Sequence, residues 1–170
     1  MKFQFLFTIG FLFFLGCSKD DSPTEPAGKT TTTDGDLYSL GRSENGFVFY
    51  KNSADTITKA GGSGHPDPQL RTRYNSIAAQ YLDLNGKVKT GTIFPDSSLI
   101  IKELFTNGAL TTYVYLFKKK NDINADANGW LWAESSPTGT PTYSVAKRGA
   151  GCTGCHGSGI DYTRMNDAHP

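Results

Sequence analysis

Net charge is scarce in this chain: 17 Lys and Arg stand against 16 Asp and Glu in 170 residues, a formal charge of +1. A chain this neutral has no field with which to grip nucleic acid or an acidic membrane surface. No glycine pattern suited to cradling phosphate is present, Gly61-Gly62-Ser63-Gly64 reads only as a loop, and no segment repeats another. Methionine is confined to Met1 and Met165, cysteine to Cys17, Cys152 and Cys155, and histidine to His65, His156 and His169. The apolar run over residues 3–15 has 13 residues, short of the roughly 20 that a helix needs to cross a bilayer. Six of the 11 Phe fall in the first 16 residues, so the remainder is less aromatic than the total of 12% suggests. Length and composition fit one small, loop-rich globular domain.

What is there begins with an export segment. Lys2 followed by the 13-residue apolar run has the proportions of a signal peptide, residues 1–16, that is removed rather than folded. The run ends Phe14-Leu15-Gly16-Cys17, which resembles the lipobox of bacterial lipoproteins. In that family the Cys thiol is lipidated and the signal is cut before it, so Cys17 is the expected lipidation site and new first residue. An ordinary signal peptide with a coincidental Cys is the alternative. Loss of Lys2 leaves 16 basic against 16 acidic residues, and several acyl chains hold a protein to a membrane without surface charge. The expected location is lipid-anchored on the periplasmic or cell-surface face of a bacterial membrane. Residues 17–36, rich in Ser, Thr, Pro, Gly and charge, read as a flexible tether, which leaves 37–170 for the folded domain.

Within that domain Leu70, Tyr74, Ile77, Ala78, Tyr81 and Leu82 recur at offsets of 0, 4, 7, 8, 11 and 12, which predicts an amphipathic helix over 68–82. Asp67 is its expected N-cap, Pro68 suits its first turn, and Asn85-Gly86 its stop. Residues 46–51, 99–105, 113–118 and 130–133 read as strands of one antiparallel sheet. The second and third are joined by Thr106-Asn107-Gly108-Ala109-Leu110, a hairpin connection with Asn-Gly at its tip. The fold class expected is therefore α+β.

Chemistry is carried by Cys152-Thr153-Gly154-Cys155-His156, the attachment pattern of a c-type haem. Two thiols three residues apart add to the haem vinyl groups along one edge of the ring, and the next residue delivers an imidazole to iron. One heme c is the expected cofactor, bonded to Cys152 and Cys155 with His156 as axial ligand. A disulfide of the thioredoxin kind competes, but such motifs follow a strand near the chain start. Half a zinc site also competes, and would need His65 or His169 to complete four ligands. The sixth position of iron separates functions. Electron carriers commonly fill it with Met, yet Met165 lies nine residues from His156 and so stays on the same side of the ring. His169 is penultimate, and His65 sits in a Gly/Pro loop where a surface role is the plain expectation. Five-coordinate iron open to a small gaseous or nitrogenous ligand follows, with a six-coordinate electron carrier as the rival and a redox partner protein as a second expected partner.

Several segments together are similar to one family. Arg73-Tyr74-Asn75-Ser76-Ile77-Ala78-Ala79, then Phe94-Pro95-Asp96-Ser97-Ser98-Leu99-Ile100-Ile101-Lys102-Glu103-Leu104, then Gly129-Trp130, then the haem motif followed by Asp161-Tyr162, resemble the cytochrome P-460 family, which includes the cytochromes c′-beta. The resemblance spans roughly residues 64–164, and its most specific parts are the hydrophobic-Lys-Glu-Leu strand and the haem motif. It implies an antiparallel sheet with a few helices around one c-type haem, with a proximal His and a vacant distal side. Members with oxidative chemistry bond the ring to an additional lysine and oxidise hydroxylamine, and the c′-beta members bind nitric oxide or similar gases in a hydrophobic pocket. The lysine corresponds to Lys102, which in strict alternation shares a face with Ile100 and Leu104; it either contacts the haem or snorkels its ammonium to the rim. The oxidative members use a distal carboxylate on the strand corresponding to 113–118, and no acid occurs there. Without that proton acceptor, the resemblance implies an aromatic, gas-binding distal wall of Tyr115, Leu116 and Phe117, with hydroxylamine oxidation or peroxide reduction as the enzymatic alternative.

Overall fold

The computed structural model describes residues 28–42, 45–61 and 63–164. The signal segment, Cys17, Met165 and His169 lie outside the described residues. The expected α+β class is observed: among the described residues seven strands form one antiparallel sheet, with three short α-helices. In chain order the elements are α1 (Asp34–Arg42), β1 (Val48–Phe49), β2 (Ile57–Thr58), β3 (Gln69–Tyr74), α2 (Ser76–Ala79), β4 (Leu99–Thr106), β5 (Ala109–Lys118), β6 (Trp130–Ser135), β7 (Pro141–Tyr143) and α3 (Thr153–His156). The sheet order is β1-β3-β4-β5-β6-β7, with β2 also paired to β3.

The hairpin is built as its sequence demands. Asn107 and Gly108 take φ of 52° and 78°, the two left-handed residues of a turn whose twist matches the strands. Thr106 faces Ala109, and a bulge falls between Leu104 and Phe105. Of the expected strand over 46–51 only Val48–Phe49 pairs, because Lys51 and Asn52 turn left-handed at φ of 54° and 55°.

The helix expected over 68–82 is not formed. Its first half is β3, and only Ser76–Ala79 is helical. Leu70 and Tyr74, four apart, satisfy the helical spacing, yet with Thr72 they also satisfy an alternation of period two. The other face decides: Arg71 and Arg73 both reach Glu103 of β4, at 2.6 and 3.2 Å, a pairing only a strand register allows. Asp67 caps nothing; it accepts hydrogen bonds from Thr106 Oγ1 at 2.8 Å and Thr111 Oγ1 at 2.6 Å, tying down the hairpin end. The actual cap is Asn75, which accepts from the Ala78 N–H at 3.0 Å and the Leu99 N–H at 3.1 Å.

The expected tether also runs too far. Residues 1–27 are not described, but Thr30 pairs with Asn121 and Asp122, and Thr32 donates to Asp122 Oδ2 at 2.7 Å. Thr33 and Asp36 then cap the start of α1 reciprocally, the Thr33 N–H donating to Asp36 Oδ2 and the Asp36 N–H to Thr33 Oγ1. Folded chain therefore begins before residue 37. The polar composition hid α1 because Leu37 is its one buried hydrophobic side chain.

Both faces of the sheet are covered. On one, Leu37 packs with Leu99, Ile101, Tyr115, Leu131, Ala133 and Val145. On the other, Leu70, Tyr74, Ile100, Leu104, Val114, Leu116, Trp130 and Trp132 pack with Phe94 and the α2 region. The second face carries the site.

Candidate functional site

Gly149 and Gly151, at φ of 73° and 86°, turn the chain into α3. A side chain at Gly149 would sit 2.7 Å from Trp132 Cδ1, so only glycine lets this segment approach β6. The single turn of α3 then displays Cys152, half-buried, and Cys155, exposed, as free thiols. Burial pushes the Cys152 thiol above its ordinary value.

The ring of His156 packs edge-on against Trp132 at a centroid distance of 4.9 Å, and its Nδ1 lies 2.9 Å from the Tyr162 carbonyl oxygen. A carbonyl only accepts, so Nδ1 carries the proton and, in the neutral ring, Nε2 carries the lone pair. That is the arrangement of a metal-binding imidazole oriented from behind.

These groups line a cleft of about 190 Å³ together with Lys102, Glu134 and His65. The cross-strand register explains the first two: Thr72, Lys102, Val114 and Glu134 are aligned across β3, β4, β5 and β6 on one face. The Lys102 side chain thus lines the cleft. Burial, then the charge of Arg164, lowers its pKa to about 8, with Glu134 opposing. Burial raises the Glu134 carboxyl above its usual range, with Lys102 opposing. His65 leaves the surface role expected of it: its side chain is 18% exposed, Nδ1 is 3.6 Å from Glu134 Oε1, and its backbone carbonyl accepts from the Lys59 ammonium. Burial first, then Lys102, lowers the His65 pKa to about 4. Among the described residues no three His, Cys, Asp or Glu side chains gather into a metal site of their own.

The aromatic wall is corrected. Successive strand residues point to opposite faces, so three in a row cannot line one pocket. Leu116 lies beside the cleft with Ile100 and Val114, whereas Tyr115 packs against Leu37 on the far face and Phe117 packs there too. The strand residues that line the recess are Thr72, Ile100, Lys102, Val114 and Leu116, none of them aromatic. The expectation that β5 carries no acid holds, but β6 brings Glu134 into the cleft one strand away. Ending that strand at Ala133 hid it, since alternation from Trp130 and Trp132 leads to Glu134.

No protein-family model matches this chain, and no curated protein is significantly similar to it.

Lys102 supplies a prediction of its own. Its pKa is about 8 folded and 10.5 in the unfolded reference, so between these values the unfolded chain binds more protons and stability rises with pH. Lys102→Met is expected to stabilise the bare polypeptide below pH 8 and to lose that advantage by pH 10.5. Urea unfolding across the window measures it, and a constant difference would contradict it.

Proposed function

We propose that this chain is an exported, lipid-anchored monohaem c-type cytochrome whose iron keeps one position open for a small ligand such as nitric oxide. The observation that carries the reading is the convergence, in one cleft, of two thiols on a single turn and an imidazole whose Nδ1–H is committed to the Tyr162 carbonyl. Cys152 and Cys155 would hold the ring, His156 the iron, and the sequence over residues 3–17 supports export and lipidation at Cys17. The resemblance to the cytochrome P-460 family points the same way. Bound haem supplies a one-electron couple and a coordination position.

The protein's own residues set what that position accepts. Ile100, Val114 and Leu116 give an apolar floor to a small recess that His156 and Lys102 also border, and would disfavour water there. Lys102 brings an amine with a lowered pKa to the ring side, suited to a contact or to the extra bond that the resemblance implies. A redox partner and the identity of the ligand belong to the same proposal.

A second reading is favoured by one observation, the carboxylate of Glu134 in the cleft. A half-buried carboxyl with a raised pKa is a positioned proton acceptor, which oxidation of hydroxylamine requires. Adding nitric oxide or carbon monoxide to the reduced holoprotein tests the first reading. Expected is a high-spin ferrous spectrum that shifts at once on ligand addition; sharp low-spin bands that vanish in His65→Ala would instead identify a sixth ligand and an electron carrier. If hydroxylamine is turned over, Glu134→Gln should slow it by roughly 10²-fold or more. An unchanged rate would remove Glu134 as the proton acceptor, and no turnover by the wild-type holoprotein would remove the enzymatic reading.

A further inference from the structure

Beyond the haem motif, the chain makes a tight return over Ile160-Asp161-Tyr162-Thr163. The Thr163 N–H donates to the Ile160 carbonyl at 2.9 Å, and Thr163 Oγ1 donates to the same oxygen at 2.6 Å. Asp161 and Tyr162 are both left-handed, at φ of 44° and 64°. Asp tolerates that region; a bulky Tyr does so only where its surroundings hold it there. A side chain at Gly159 would fall 2.0 Å from the Thr163 carbonyl oxygen, so the return closes without slack.

A buried ion pair ties the return to the sheet. Lys118, at the end of β5, is 2% exposed and lies 3.0 Å from both Asp161 oxygens. Its ammonium also sits 4.5 Å over the Trp130 ring. Asp161 Oδ2 accepts in addition from the Phe94 N–H at 2.8 Å. Two segments distant in sequence, the end of β5 and the loop at Phe94, therefore converge on one carboxylate. The next residue in the chain, Tyr162, supplies the carbonyl that receives His156 Nδ1–H.

We propose that the Lys118–Asp161 pair is a positioning device for His156: it holds the left-handed return, aims the Tyr162 carbonyl at Nδ1, and so fixes the imidazole with Nε2 presented to iron. The inference rests on the haem reading above and adds to it how the ligand strength of His156 is set. An imidazole that donates a well-aimed hydrogen bond from Nδ1 is a stronger ligand and favours ferric iron. Lys118 and Asp161 do not line the cleft, and would act only through the return.

Asp161→Asn alone would leave the Lys118 ammonium buried without its counter-charge and risks unfolding. The double variant Lys118→Met with Asp161→Asn removes both charges while keeping an oxygen for the Phe94 N–H, and Lys118→Arg keeps the pair. In the reduced holoprotein, resonance Raman reads the iron–histidine stretch and redox titration the midpoint potential. The double variant should keep the circular dichroism of the sheet, lower the stretching frequency and raise the potential; Lys118→Arg should restore both values. A folded double variant matching wild type in stretch and potential overturns the inference and leaves the haem reading intact. A wild-type chain that carries no haem overturns both.

Discussion

Replacing Cys152 and Cys155 together by Ala is expected to abolish covalent haem while leaving the sheet folded. Cys155 lies on the single turn Thr153–His156 and Cys152 immediately precedes it, both lining the cleft; Cys155 is exposed, and Cys152 is half-buried and packs against the core on that face without being one of its buried residues. Their loss therefore removes attachment and takes one half-buried sulfur from beside the core, well short of the fully buried truncations that cost several kcal/mol. In cells competent for haem attachment, the exported variant should show no Soret absorbance after denaturation, against one haem per chain for wild type. Either single variant should keep one thioether and an altered band. Haem retained covalently in the double variant would mean attachment elsewhere, with Lys102 the residue to inspect.

The largest expected effect on stability comes from the opposite face of the sheet. Glu103 is buried, and its two oxygens meet Arg71 Nε at 2.6 Å and Arg73 Nε at 3.2 Å. Arg73, 1% exposed, lies over the Phe47 ring at 4.6 Å and donates to the Gly41 carbonyl at the end of α1. Glu103→Ala would remove the buried carboxylate that Arg71 and the buried Arg73 share. Breaking a buried pair in this way costs about 3–5 kcal/mol, a large share of the roughly 5–15 kcal/mol that holds a domain together. Chemical denaturation should show that loss. Because Glu103 and Lys102 point to opposite faces, any holoprotein that remains folded should keep its ferrous spectrum. A loss below about 1 kcal/mol would contradict the assignment of this triad as the anchor between β3, β4 and α1.

The parts of the architecture that could be read from sequence are those encoded within a few residues. Asn107-Gly108 specifies its turn without help from elsewhere, and the β-rich runs of β4, β5 and β6 declare themselves by composition. The five-residue motif at 152–156 is local by its chemistry. Misreadings arose where two periods overlap or where the decisive partner is distant. Leu70 and Tyr74 fit a helix until Arg71 and Arg73 are seen to need Glu103, some thirty residues on. α1 is polar in sequence because it lies on the sheet through Leu37 and the close approach of Gly41 to Tyr115. The cleft itself is assembled from residues 65, 102, 134 and 156, and no local pattern joins them. Strand alternation carried to its end would nonetheless have found Glu134 and removed Tyr115 and Phe117 from the wall.

The central claim, that this chain is a haem protein by covalent attachment at its C-terminal motif, is tested most directly by the intact mass of the denatured wild-type protein exported from cells that attach haem. The account predicts the mass of the mature chain with its lipid plus one haem, and a tryptic peptide containing Cys152 and Cys155 that bears that haem. A mass equal to polypeptide and lipid alone, with both thiols open to alkylation, would contradict it.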